Sequence, residues 1–222
     1  MEYAVLGDPG TGTTLRLDYR AFAYAGKFVV GSTGTAVLRT PDGSPAVTGW
    51  EPDEALPPTV AADEFDDAVI AAVSFSPDRT DADCCRLRYI TVHAAHRGEG
   101  FGPRLVDHTV SHLAAAGYDR VRIAVNNPFA YAALYKCGFA YTGERTGIAE
   151  LELERPTAAP AVSGEPIPGG DTGAGDGSDG ADDPDAVRYR AGLRVFLEDD
   201  RELTPRERRF VADRLGEGAE ST

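Results

Sequence analysis

The sequence predicts a mixed α/β domain followed by a tether and a short helical tail. Three observations lead there. Between residues 69 and 154, apolar strand-sized runs alternate with stretches of helical period, the pattern of an α/β domain. Residues 156–184 are mostly Gly, Pro, Ala and Asp, with no Lys or Arg. Such a segment cannot offset its own ordering entropy and repels itself. Beyond it, Tyr189, Leu193, Phe196 and Leu197 recur at helical spacing. The expected organisation is therefore a main domain over 1–155, a disordered acidic linker over 156–184 and a helical segment over 185–222.

In order along the chain, Glu2 to Leu6 reads as a strand and Leu15 to Phe28 as a helix. Val29 to Arg39 is expected to hold a second strand broken by Gly31 and Gly34. Residues 40–67 contain five prolines, eight acidic residues, no basic residue and the sole tryptophan, Trp50, so they read as a long acidic loop. Asp67 to Phe75 is an apolar, β-branched strand, and Arg86 to Val92 another. Phe101 to Ala116 places Leu105, Val106, Thr109, Leu113 and Ala116 on one stripe, with Gly117 to close the helix. Val121 to Val125 follows as a buried strand. Asn127 as N-cap and Pro128 at the first helical position start a helix that runs through Lys136. Phe139 to Arg145 and Ile148 to Glu154 then pair around Gly147. In the tail, Thr204, Pro205 and Glu207 form a capping-box signature, and Gly216 stops that helix. So short a tail rarely holds a core alone. It is expected to dock on the main domain or on a second copy, as a homodimer.

Composition narrows the function classes. Asp and Glu number 36 against 22 Lys and Arg, a formal charge of −14, and Lys27 and Lys136 are the only lysines. That balance disfavours nucleic acid as a partner. It fits either attraction of a cationic substrate or an acidic proteome adapted to concentrated salt. No apolar run approaches the ~18 residues of a membrane span, and the first residues lack a signal peptide's basic and apolar regions. A cytoplasmic protein without membrane contact is expected. Cys84, Cys85 and Cys137 make neither a disulfide framework nor a metal-ligand spacing, so no metal is expected.

Two glycine-rich turns could cradle phosphate. Gly7 to Thr14 approaches a nucleotide-binding loop, but Thr13 stands where the lysine is required and Asp8 adds a repelling charge. A Gly/Pro/Thr turn is the better account. The second turn, Arg97-Gly98-Glu99-Gly100-Phe101-Gly102, lies between a strand and the amphipathic helix. Alternate glycines let the backbone aim successive N–H groups at one point, the helix adds its positive end, and Arg97 adds a charged donor.

Arg97-x-x-Gly100-x-Gly102, after Leu87 to His93, resembles the acyl-CoA pyrophosphate motif of the GNAT superfamily of N-acyltransferases. Ala130-Tyr-Ala-Ala-Leu134-Tyr135-Lys-Cys-Gly138-Phe139 resembles that family's second signature. The two together, in this order and with a strand between, cover residues ~70–155; residues 1–69 match only loosely. The resemblance implies a mixed, mostly antiparallel central sheet with a V-shaped splay, flanked by helices. It implies acetyl-CoA as co-substrate, held along Ile90, Thr91 and Val92 and on Arg97, Gly98, Glu99, Gly100, Phe101 and Gly102, with Asn126 and Asn127 nearby. The Val92 N–H would polarise the thioester carbonyl, and Tyr135 would protonate the departing thiolate. A helix tyrosine packed against the sheet is the lesser reading of Tyr135, and the two roles are compatible. Pro128 stands where the family frequently has asparagine, and Asn127 also reads as an N-cap. His93 is a weak candidate for the general base, since alternation turns it from Val92 and a surface position suits it. Glu64, Asp66 and Asp67 are alternatives. The expected reaction is acetyl transfer to a primary amine in a ternary complex; a non-catalytic acyl-CoA sensor or scaffold is the alternative.

Overall fold

The computed structural model describes residues 1–158, 184–198 and 202–216. The linker expected over 156–184 lies, except for its ends, outside the described residues. The chain divides into two compact units, Met1–Val121 and Arg122–Thr222. Among the described residues the fold is mixed α/β, with seven strands, mostly antiparallel, and four α-helices.

In the first unit, β1 (Glu2–Gly7), β2 (Gly34–Arg39), β3 (Val69–Pro77) and β4 (Cys84–Val92) lie side by side in that order, each antiparallel to the next. The helix α1 (Phe101–Ala115) buries Leu105, Val106, Val110 and Leu113 and brings His112 against Phe75 of β3. The opposite face is covered by Leu15, Leu17, Phe22 and Phe28, which pack with Val37 and Ala72. Cover on both faces explains why β3 is apolar at every position from Val69 to Val73 instead of alternating.

The helix expected over Leu15 to Phe28 is not formed. This segment is a loop closed by the Leu15 N–H donating to the Phe28 carbonyl at 2.9 Å, with a single 3₁₀ turn at Ala25–Lys27. Two local causes decide it. The Asp18 carboxylate accepts the Arg20 N–H two residues on and also binds the Arg20 guanidinium, which favours a turn over a helix. Tyr24 adopts a left-handed φ of 61° that no helix tolerates. The apolar spacing that imitates a helix is satisfied by burial against the sheet.

In the second unit, the rest of β5 (Arg120–Val125), β6 (Ala140–Arg145) and β7 (Leu151–Pro156) follow the spatial order β5-β7-β6, and α2 (Pro128–Lys136) connects β5 to β6. Ile148, expected in a strand, sits in the hairpin turn and is 79% exposed. The Ala149 N–H donates to the Thr146 carbonyl and the Thr146 N–H to the Glu150 carbonyl, so the turn is wider than a two-residue link. The tail forms α3 (Pro184–Glu198) and α4 (Pro205–Leu215). Thr204 accepts the Glu207 N–H while the Glu207 carboxylate accepts the Thr204 N–H, and Gly216 ends the helix at φ 77°. Both helices pack within this unit. Leu193 and Phe196 are fully buried, and the rings of Phe129 and Phe210 meet at 4.5 Å.

Candidate active site

In the first unit the candidate residues gather at the C-terminal end of β4. The His93 N–H donates to the Ile70 carbonyl at 2.9 Å, and Ala71 stands opposite Val92 in the register. Main-chain N–H groups alternate sides along a strand, so that of Val92 points away from β3, toward the other edge of β4. The chain then makes one 3₁₀ turn, Ala94–His96, and enters the glycine segment.

Gly98 and Gly100 have φ of 87° and 82°, a region that side-chain-bearing residues rarely enter. At Gly102 a Cβ would meet Val92 Cγ2 at 3.5 Å, an ordinary contact, so α1 starts close against β4 without sterics requiring glycine there. The Arg104 N–H donates to the Gly100 carbonyl at 3.2 Å. Among the described residues, the N–H groups of Gly98, Gly100, Phe101 and Gly102 find no main-chain acceptor. Residues 97–100 are exposed. This is a cluster of donors at the positive end of a 15-residue helix, suited to an anionic diphosphate. The Ala21 carbonyl accepts the Ala94 N–H at 2.9 Å and lies 3.5 Å from an Arg97 nitrogen, which leaves most guanidinium donors for a ligand. Glu99 faces His96 Nδ1 at 3.1 Å.

His93 is not the surface residue that the sequence suggested. It is 8% exposed, with its ring edge-on to Phe22 at 5.1 Å and to Trp50 at 4.8 Å. Its Nδ1 accepts the Ala95 N–H at 3.1 Å. Burial, and then His96, lower its pKa, with Asp18 opposing and Arg97 adding to the effect. The neutral ring therefore carries its proton on Nε2 and its only lone pair is engaged. That is a poor arrangement for a base. Glu64 bonds the Ala61 N–H and pairs with Arg16, which lowers its pKa and weakens it as a base. Asp66 and Asp67 precede β3 at the end of the sheet where β4 finishes, and line a small recess with Arg39, Thr40 and Gly43.

The second unit, described by itself, carries its candidate residues on α2. The Asn127 side-chain oxygen accepts the Ala130 N–H at 2.8 Å, so it caps the helix, and Asn126 is exposed. Gly138, at φ 79°, ends the helix: its N–H donates to the Tyr135 carbonyl, and that of Phe139 to the Leu134 carbonyl. Tyr135 is half-buried, and its ring stacks on Tyr189 of α3 at 4.3 Å and 30°. The sequence held no sign of this contact, because the two tyrosines lie far apart along the chain. Among the described residues no group of three or more His, Cys, Asp or Glu could hold a metal ion, and no helix is long and apolar enough to cross a membrane.

Residues 34–139 match the model of the Acetyltransferase (GNAT) family. A search of curated proteins found no match. Solved structures similar to this chain include an N-acetyltransferase from Staphylococcus aureus, 14% identical over 56% of this chain and 68% of the other, with a TM-score of 0.40. Another is a GCN5-related N-acetyltransferase from Kribbella flavida, 20% identical over 56% and 67%, with a TM-score of 0.39. A third is the PaiA N-acetyltransferase from Thermoplasma acidophilum in complex with coenzyme A, 18% identical over 41% and 55%, with a TM-score of 0.36.

Proposed function

Because residues 34–139 match the model of the Acetyltransferase (GNAT) family, we propose that this chain moves an acetyl group from acetyl-CoA to a primary amine by direct attack. The observation that carries the reading is the cluster of N–H groups of Gly98, Gly100, Phe101 and Gly102, which find no main-chain acceptor, at the head of α1.

Acetyl-CoA supplies an acyl group already activated as a thioester. The chain's own work is to bind, polarise and protonate. Gly98, Gly100, Phe101, Gly102 and Arg97 hold the diphosphate. The Val92 N–H donates to the carbonyl oxygen as charge develops on it. The amine, having lost a proton to water or to the carboxylate of Asp66 or Asp67, forms the new C–N bond as the C–S bond breaks. Tyr135 gives its phenol proton to the departing sulfur and is reprotonated from solvent. Positioning supplies much of the acceleration.

Tyr135→Phe should lower kcat about 10²-fold while calorimetric affinity for acetyl-CoA is kept. An unchanged kcat removes the acid role. The engaged lone pair of His93 and the paired state of Glu64 favour a second reading, an acyl-CoA sensor. Acetyl-CoA binding without turnover on a panel of amines and basic peptides would select it. Absence of binding would overturn both. The acidic 40–67 stretch makes a cationic amine the expected acceptor. Neutralising Glu51, Asp53 and Glu54 together should raise its KM several-fold at low salt, and no change would remove that preference.

A further inference from the structure

The second unit holds a group of rings that the acetyl-transfer reading does not use. Tyr131 and Tyr135 lie one turn apart on α2, so both project from the same face. Tyr189 of α3 stacks on both, at 5.4 Å and 12° for Tyr131 and at 4.3 Å and 30° for Tyr135. Its position is fixed from several sides. The Tyr131 hydroxyl donates to the Tyr189 carbonyl at 3.1 Å and approaches the Arg188 carbonyl at 3.3 Å. Gly192, one turn on, is what allows this approach: a Cβ there would stand 2.1 Å from the Tyr131 hydroxyl oxygen. Tyr189 is 4% exposed, and Leu193 and Phe196 on the same helix are fully buried. The Tyr189 hydroxyl makes no hydrogen bond of normal geometry, although the Arg214 guanidinium of α4 lies near enough to offset part of the rise in pKa that burial causes.

We propose that Tyr189 is a positioning residue for Tyr135: the ring of α3 sets the orientation of the phenol on α2, so the C-terminal segment is a working part of the acyl-transfer site. The inference rests on the reading of Tyr135 as the acid. A half-buried tyrosine on a helix has two soft side-chain torsions, and a ring packed flat at 4.3 Å removes most of that freedom. A proton donor works only when held within hydrogen-bond reach of its acceptor. A removable lid would be joined by a polar, half-exposed contact. Here the removal of α3 would strip cover from Tyr131, Leu193 and Phe196 together, so the contact is a permanent support.

The test is a double-mutant cycle on the full chain with acetyl-CoA and a working amine. Tyr189→Ala should lower kcat about tenfold with both KM values unchanged. Tyr189→Phe, which keeps the ring, should restore kcat to within about twofold. Leu193→Ala removes an equally buried α3 side chain that makes no ring contact with Tyr135; it should lower the melting temperature without lowering kcat at a temperature where the variant is folded. In a Tyr135→Phe background, Tyr189→Ala should have no further effect on kcat. If Tyr135→Phe slows turnover but Tyr189→Ala does not, the positioning role is overturned and the acid role survives. If Tyr189→Ala and Leu193→Ala lower kcat alike, or if the Tyr189→Ala loss persists undiminished in the Tyr135→Phe background, the effect is general destabilisation and the proposal falls. If Tyr135→Phe itself is silent, the acid assignment fails and takes the inference with it.

Discussion

Asp78 shows how much a single side chain can carry. It is nearly buried at the end of β3, where its carboxylate accepts the Thr80 N–H and hydroxyl at 2.8 Å each and pairs with Arg86. The hydrogen bond from the Thr80 N–H, with Arg86 and the Thr80 hydroxyl, holds its pKa far below the usual carboxylate range despite the opposing effect of burial. The folded-state value is depressed, so the stability it adds is fully present above the unfolded pKa near 4 and is lost as pH falls toward the folded value. Asp78→Asn should cost about 2 kcal/mol at neutral pH and flatten the acid side of the stability curve. Urea unfolding at a series of pH values measures both. An unaltered acid limb would place the acid sensitivity elsewhere. His93 teaches the complementary lesson about reading a sequence. Its ring packs on Trp50, brought from within a loop 43 positions upstream, and its Nδ1 lone pair is taken by one local N–H, from Ala95. The amino-acid order near His93 shows neither the distant ring nor the turn geometry.

At the scale of elements, what could be read was what is locally encoded. The α1 stripe, the Asn127-Pro128 start of α2 and the Thr204–Glu207 capping box each draw on residues within one or two turns, and each forms where expected. The glycine turn before α1 was legible for the same reason, since two of its glycines serve positive φ angles. The 15–28 segment was misread because burial against a sheet can space apolar residues like a helix, while Asp18 and Tyr24 set the actual path. The support of Tyr135 by Tyr189 was not legible at all, being a contact between elements separated by the linker. Its packing makes a sharp prediction. Gly192→Ala forces the buried Tyr131 ring to move, and overpacking of this kind costs about 1–3 kcal/mol. A fall of several degrees in melting temperature is expected by calorimetry; an unchanged value would mean that α3 is seated more loosely than the structure shows.

For the molecule as a whole, the formal charge of −14 acts on stability through self-repulsion. Raising NaCl from about 0.1 M to about 1 M shortens the screening length from roughly 10 Å to 3 Å. The melting temperature should therefore rise over that range, as followed by circular dichroism. A fall would show that ion pairs such as Arg20–Asp18 and Arg120–Asp81 outweigh the repulsion. Tryptophan is present once, as Trp50, in the unit Met1–Val121, whereas Tyr131, Tyr135, Tyr141 and Tyr189 lie in Arg122–Thr222. Red-edge excitation, where only indole absorbs, thus watches the first unit alone, whereas phenol signals mix both units, since Tyr3, Tyr19, Tyr24, Tyr89 and Tyr118 lie in the first. That single indole is a built-in optical label, so the opening of the first unit can be followed without attaching a dye.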